Sequence, residues 1–323
     1  MQKHKYEHRA MEAGGKAKLL VILLTTTLAA LVLLYFSCII NPIQGSNRDK
    51  PWLLQHTQSE VASRKLSKML KTAAMQDRMV ILTLLNSTWA APGCVLDLFL
   101  ESFQIGQGTK RLLNHLLILT TDDQAFQHCS SKHLFCFDLS PLNLKPKLRR
   151  TLFLTHILKL GYNFVYSDLD VMWLRTPIPH FDAGRELSMA SDVYTGHPLS
   201  SRNRANGGLF YVRSNEISIQ FFTYWDLAAG ILHPHHNDIS VFEMIKGDRS
   251  SKIIEARIQY VDAAYFISLC LPNANFSMVH TVHGGCCGST EEKVHDLRLV
   301  LDDWRNFTAH GSLSSWRAPS KCK

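Results

Sequence analysis

The chain has 323 residues, 46% of them hydrophobic and 19% charged, which excludes disorder throughout and suits one substantial globular domain with an appendage. Its formal charge of +8 favours anionic ligands. The basic residues are scattered rather than clustered with aromatics, which argues against a nucleic-acid reader.

Taken in chain order, Leu19 to Ile40 runs 22 residues without a charge, matching the roughly 20 residues of a membrane-spanning helix. A cleaved signal peptide normally has a shorter apolar region, so an uncleaved anchor is expected. Lys3, Lys5, Arg9, Lys16 and Lys18 precede this run, and the nearest basic residues after it are Arg48 and Lys50. The positive-inside bias therefore makes 1–18 a cytosolic tail, 19–40 a signal-anchor and the remainder lumenal, a single-pass type II arrangement.

Residues 41–76 are polar, with Pro42, Gly45 and Pro51 and a short helical run from Val61 to Ala74, and read as a stem. From Met79 apolar strands alternate with helical patterns: MVILTLLN, CVLDLFLESF, HLLILTTD and FCFDLS. Such alternation predicts parallel βαβ units in a sheet covered on both faces. Pro146 opens a helix whose Leu148, Leu152, Phe153, Ile157 and Leu160 follow helical spacing, with Gly161 as its stop. NFVYSDLD follows as a buried strand. ELSMASDVY and GGLFYVRSN then read as strands, ISIQFFTYWDLAAG as a helix and SMVHTVHGG as a late strand. Ser289 and Glu292 form a capping box for a helix through Trp304. One α/β domain is expected over 77–310, with a C-terminal tail at 311–323.

Eight cysteines suit an oxidising lumen. Cys129 with Cys136, and Cys270 with Cys286 or Cys287, are candidate disulfides, with Cys94 and Cys322 less favoured. The absence of Cys-x2-Cys spacing speaks against zinc. Sequons begin at Asn86, Asn275 and Asn306.

Asp168 and Asp170 lie two apart after the strand NFVYS, so both carboxylates can approach one divalent cation. Ligands of open α/β sheets sit at the carboxyl ends of parallel strands, where this pair falls. Mg²⁺ or Mn²⁺ suits carboxylates together with phosphate oxygens.

The segments LGYNFVYSDLDVMWLRTP, RANGGLFYVRSN and TVHGGCCGSTEEKVHDLRLVLDDWRNF carry a further signal. Together with AAMQDRMVILTLLNSTWAAPGCVLDLFLESFQIGQGTKRLL, they resemble the plant nucleotide-diphospho-sugar transferases related to glycosyltransferase family 77. The resemblance runs collinearly over roughly Ala73 to Phe307. It implies a GT-A fold, a Rossmann-like mixed and mainly parallel sheet with helices on both faces. It also implies a type II Golgi enzyme that transfers a sugar from a UDP-sugar, with retention, to a glycan or glycoprotein. Carried over residue by residue, it makes Asp168, Asp170 and His283 the ligands of Mn²⁺ or Mg²⁺. Thr83 and Asn86, at the end of the first strand, fall where the nucleoside is held, so Asn86 is expected to stay unglycosylated. Arg149, Arg150 and Gly207 also fall in the donor-binding set. Asp192, Asn206 and Asp238 match sugar-contacting and catalytic positions. Lys293 is expected on a helix surface. Homo- or hetero-oligomerisation is left open. One stretch departs from the family: H-D-Q-D-V-F-N becomes Asn237-Asp238-Ile239-Ser240-Val241-Phe242-Glu243. Asp238 is kept, and Ile239 and Ser240 replace a glutamine and an aspartate.

Overall fold

A computed structural model describes residues 51–142, 150–270, 275–311 and 317–322. The expected cytosolic tail and anchor, Pro146 and Arg149 lie outside the described residues. Among the described residues no helix is long and apolar enough to cross a membrane.

Helix α1 (Pro51–Ala73) is longer than the expected Val61–Ala74 run. Proline is tolerated in a first helical turn. Farther along, Leu66, Leu70 and Ala73 are fully buried in a core shared with Phe153 and Ile157. The helix therefore gains from an apolar stripe, and not from local propensity alone.

The main sheet is built on β1 (Met79–Leu85), β2 (Leu116–Thr120), β3 (Cys136–Asp138), β4 (Asn163–Ser167), β6 (Leu187–Val193), β7 (Arg204–Val212) and β8 (Ile258–Tyr260). Its order is β3-β2-β1-β4-β7-β6-β8. The first four strands are parallel. β7 runs against both β4 and β6, and β8 is parallel to β6. The sheet is thus mixed and mainly parallel, consistent with the GT-A expectation. Side chains alternate between two cores: Met79, Ile81 and Leu85 enter one, and Val80 and Leu82 the other. The first core contains Phe99 and Phe103 of α3 (Val95–Ile105) and Trp304 of α9 (Thr290–His310). The second takes Phe153 and Ile157 of α5 (Arg150–Lys159) and Phe222 and Trp225 of α6 (Glu216–Leu227). A sheet covered on both faces explains why its strands read as near-continuous apolar runs.

A second sheet has the order β5 (Val171–Trp173), β10 (Thr281–His283), β9 (Phe266–Ser268). The late strand is only three residues long, shorter than its apolar pattern predicted, because Asn275–Val279 folds into a turn before it. Antiparallel pairing sets His283 opposite Val171, the residue after Asp170.

Disulfides join Cys129 to Cys136, Cys270 to Cys286 and Cys287 to Cys322, and Cys94 is free and buried. The Cys322 bond corrects the expectation from spacing. Asp296 of α9 accepts the backbone N–H groups of Ser320, Lys321 and Cys322 at 3.1, 2.8 and 2.7 Å, and so brings the chain end to Cys287.

Candidate active site

Asp168 and Asp170 occupy the short link from β4 to β5, at the carboxyl end of β4. The Asp168 N–H donates to the Gly208 carbonyl of β7 at 2.7 Å, and the Gly284 N–H donates to the Asp170 carbonyl at 2.9 Å. Backbone from the middle of β7 and from just past the end of β10 therefore holds the pair. Asp168 Oδ1 accepts the Tyr166 hydroxyl at 2.7 Å and lies 3.6 Å from Arg150 Nη1. Asp170 is 2% exposed, and its Oδ2 accepts Lys293 Nζ of α9 at 2.5 Å. Its Oδ1 lies 3.4 Å from His283 Nε2 yet, among the described residues, has no hydrogen-bond partner.

Ligand atoms of Asp168, Asp170 and His283 lie within 4.8 Å of one another, and the three expected metal residues converge. Two carboxylates and an imidazole form a donor set that fits Mn²⁺ or Mg²⁺. The buried Asp170 Oδ1, without a hydrogen-bond partner among the described residues, supports that fit, because leaving such an atom unsatisfied costs about 1–3 kcal/mol. The His283 ring packs against two glycine backbones. A Cβ on Gly208 would lie 2.5 Å from its Cε1, and one on Gly285 2.6 Å from the same atom. The close approach that Gly208 permits is therefore to this imidazole.

Burial pushes the Asp168 carboxyl up, opposed by Arg150 and reinforced by Asp170. Burial acts the same way on Asp170, but His283 and Lys293 outweigh it and hold this carboxylate well below the usual range. His283 moves upward because the two aspartates, Asp170 first, outweigh the lowering effect of burial.

The sugar-contacting candidates line an adjoining cleft of about 460 Å³. Asn206 Nδ2 donates to Asp192 Oδ1 at 2.6 Å, and Asn206 Oδ1 accepts the Gly208 N–H at 2.8 Å. Asp238 opens α7 (Asp238–Ile245), and its Oδ2 receives Arg150 Nε and Nη2, both at 2.7 Å. Arg150 Nη1 donates to the Gly207 carbonyl at 2.8 Å, and the guanidinium lies over Tyr166 at 4.6 Å. Arg150 is therefore an organised member of the cleft and not a solvated helix residue. Gly207 lines the cleft, and a Cβ there would meet Arg150 Nη2 at 3.2 Å and Ile239 Cβ at 3.3 Å.

Two expected nucleoside contacts are placed differently. Thr83 does not end its strand: it pairs with Ile118 inside β1, is fully buried, and its Oγ1 has no partner among the described residues. Asn86 is exposed and caps α2 (Ser87–Ala90), accepting the Trp89 N–H at 3.1 Å. Its short polar side chain serves the helix start, as N-cap residues do. Lys293 corrects the surface expectation, being 8% exposed with its Nζ 4.7 Å from the Trp89 ring centre. The sequence carried a signal for this, since Lys293, Leu297, Val300 and Trp304 share one helical face.

A family model described as nucleotide-diphospho-sugar transferase matches residues 111–297. The chain is 34% identical over 279 residues to the uncharacterized Arabidopsis thaliana protein At4g15970, covering 80% of this chain and 74% of that one. A 66-residue stretch, 20% of this chain and 12% of the relative, is 41% identical to the Arabidopsis thaliana beta-arabinofuranosyltransferase RAY1. The crystal structure of the glycosyltransferase GlyE from Streptococcus pneumoniae aligns with a TM-score of 0.45 and 10% identity, covering 75% of this chain and 65% of that one.

Proposed function

The chain belongs to the nucleotide-diphospho-sugar transferase family and is a glycosyltransferase, and from that premise we propose the finer reading that follows. It moves a pentose or galactose from a UDP-sugar to a glycan or glycoprotein acceptor, with retention, depends on Mn²⁺ (or Mg²⁺), and works in the Golgi lumen behind its N-terminal anchor. The observation that carries the metal-dependent reading is the convergence of Asp168, Asp170 and His283 around the buried Asp170 Oδ1, which has no hydrogen-bond partner among the described residues. The pentose is supported by the stretch shared with the arabinofuranosyltransferase, and the anchor by the uncharged run 19–40.

Asp168, Asp170 and His283 would hold the cation, which would supply charge neutralisation for the departing nucleotide diphosphate. Lys293 fixes Oδ2 of Asp170, which leaves Oδ1 as a single, oriented donor atom. Arg150 holds Asp238 at the cleft wall, and Asn206 and Asp192 present polar atoms to sugar hydroxyls. A front-face path needs no strong protein base, because the departing phosphate oxygen can take the acceptor's proton.

Residues from Ser46 onward, secreted from a eukaryotic host, should release UDP from a UDP-sugar with Mn²⁺ and stop in EDTA. Undiminished release in EDTA would overturn the metal-dependent reading. Protease added to sealed vesicles should spare the domain; its digestion would reverse the orientation. A second reading, a catalytically weak transferase acting as a nucleotide-sugar-binding or partner subunit, is favoured by Ile239 and Ser240. The double change Ile239→Gln with Ser240→Asp should then raise turnover, and a loss of turnover would reject that reading.

A further inference from the structure

Ile239 borders more than the cleft beside the metal ligands. A second cavity of about 610 Å³ adjoins it, and Asp192, Ala205 and Ile239 line both. Ser240 and Met244 line only the second. Of the four residues that depart from the family pattern, Ile239, Ser240 and Glu243 border this second space, Ile239 as the shared wall.

The chemistry of the second cavity is mixed but balanced. Val193 and Met244 leave 49% and 45% of their surfaces exposed. With Ile239 they give it an apolar side. Asp192 is matched by Arg204 in the same lining. Glu243 is already committed, receiving Lys246 Nζ at 2.9 Å and the Ala205 N–H at 2.9 Å. No net charge remains to select a strongly anionic occupant. Apolar surface beside hydroxyl and carboxylate groups suits a molecule with one apolar and one hydrogen-bonding face.

Sugar transfer requires the attacking hydroxyl to approach the reacting carbon to about 3–3.5 Å, so the acceptor must bind in a space that borders the donor cleft. We propose that the cavity bounded by Ile239, Ser240 and Met244 is the acceptor subsite, and that it takes a neutral, hydroxyl-bearing molecule with an apolar face, such as the terminal ring of a neutral glycan. The inference rests on the glycosyltransferase reading above. In the transfer, the bond from the anomeric carbon to the diphosphate oxygen breaks and a bond to the acceptor oxygen forms. The acceptor's proton leaves with the phosphate. Ile239 and Ser240 then have a positive role. Replacing a carboxylate by the Ser240 hydroxyl removes a charge and makes room, and Ile239 offers a sugar ring its apolar face.

The test uses the secreted lumenal chain with Mn²⁺, the UDP-sugar it hydrolyses fastest, and water as the reference acceptor. Probes are the p-nitrophenyl β-galactoside and β-xyloside, which are neutral, and a galacturonate trimer, which is acidic. The neutral probes should raise UDP release above hydrolysis. Met244→Trp and Val193→Trp, both at residues that line the second cavity alone, should each raise the probe's KM by about tenfold or more while hydrolysis and UDP affinity stay within about twofold. Met244 is exposed enough for its variant to fold. Unchanged probe KM in both variants overturns the assignment, and a parallel loss of UDP affinity would place the cavity in the donor site instead. Stimulation by the acidic probe alone overturns the neutral class. Failure of the unmodified protein both to bind UDP and to hydrolyse UDP-sugars would bring down the glycosyltransferase reading itself, and this inference with it.

Discussion

A methyl group on Gly208 would sit 2.5 Å from Cε1 and 2.7 Å from Nε2 of His283, closer than packed carbon atoms come. The imidazole keeps its orientation because the neighbouring strand carries no side chain there. Gly208→Ala should displace the ring and weaken Mn²⁺ binding by about 10–100-fold, the usual cost of misorienting a ligand. Titration followed by electron paramagnetic resonance measures this. Wild-type affinity in the variant would remove His283 from the ligand set.

The Lys293–Asp170 pair spans 123 residues and is almost fully buried. Removing one member leaves the other charge uncompensated, which typically costs about 3–5 kcal/mol. Lys293→Met should therefore lower metal-free stability by roughly 3 kcal/mol and increase the stabilisation that Mn²⁺ confers. Calorimetry with and without Mn²⁺ reads both effects, and equal Mn²⁺ increments in variant and parent would show that the lysine and the cation do not share Asp170.

Arg150 holds Asp238 through two nitrogens and the Gly207 carbonyl through a third. A lysine cannot reproduce that planar fork. Arg150→Lys should lower kcat on a UDP-sugar by at least about tenfold, corresponding to about 1.4 kcal/mol. UDP affinity should change far less. Steady-state kinetics beside UDP titration separates the two, and an unaltered kcat would make the fork a matter of stability alone.

Asp296 binds the C-terminal segment, and its carboxyl is held down to about 2: burial acts upward, but the N–H groups of Cys322, Lys321 and Ser320, with His295, outweigh it. Its folded value is below its unfolded one, so its stabilisation is complete above the unfolded value. That stabilisation is lost as pH falls from about 4 to about 2, and amounts to roughly 2 kcal/mol. Asp296→Asn should therefore destabilise at pH 7, and the gap to the parent should close at low pH. Urea unfolding at several pH values decides this, and a gap that persists undiminished at low pH would assign the effect to packing.

Much of the fold was legible because its signals are short-range. The near-continuous apolar run Met79–Leu85 marked a strand buried on both faces, and Ser289 with Glu292 marked the start of α9. Asp168 and Asp170 after NFVYS pointed to a cation because strand geometry sends side chains two apart the same way. Thr83 and Asn86 were harder to place, since the end of a strand and a helix cap compete within three residues and only hydrogen bonding decides between them.

By itself the sequence determined the alternating α/β layers, the acidic pair at a strand end and the resemblance that named a sugar-transfer chemistry, and it offered Cys129–Cys136 as a candidate that the structure bears out. The resemblance had already named His283, but only the tertiary structure decided how the distant groups meet there and that Lys293 joins them. The β10–β5 register brings His283 to Asp170, packing turns Lys293 of α9 inward, and Gly208 and Gly285 leave room for the imidazole. The same packing makes Ile239 a wall shared by two cavities. Period and spacing act through backbone geometry over a few residues, whereas register and helix rotation are set by burying whole faces, so contacts separated by a hundred residues become defined only when the cores close.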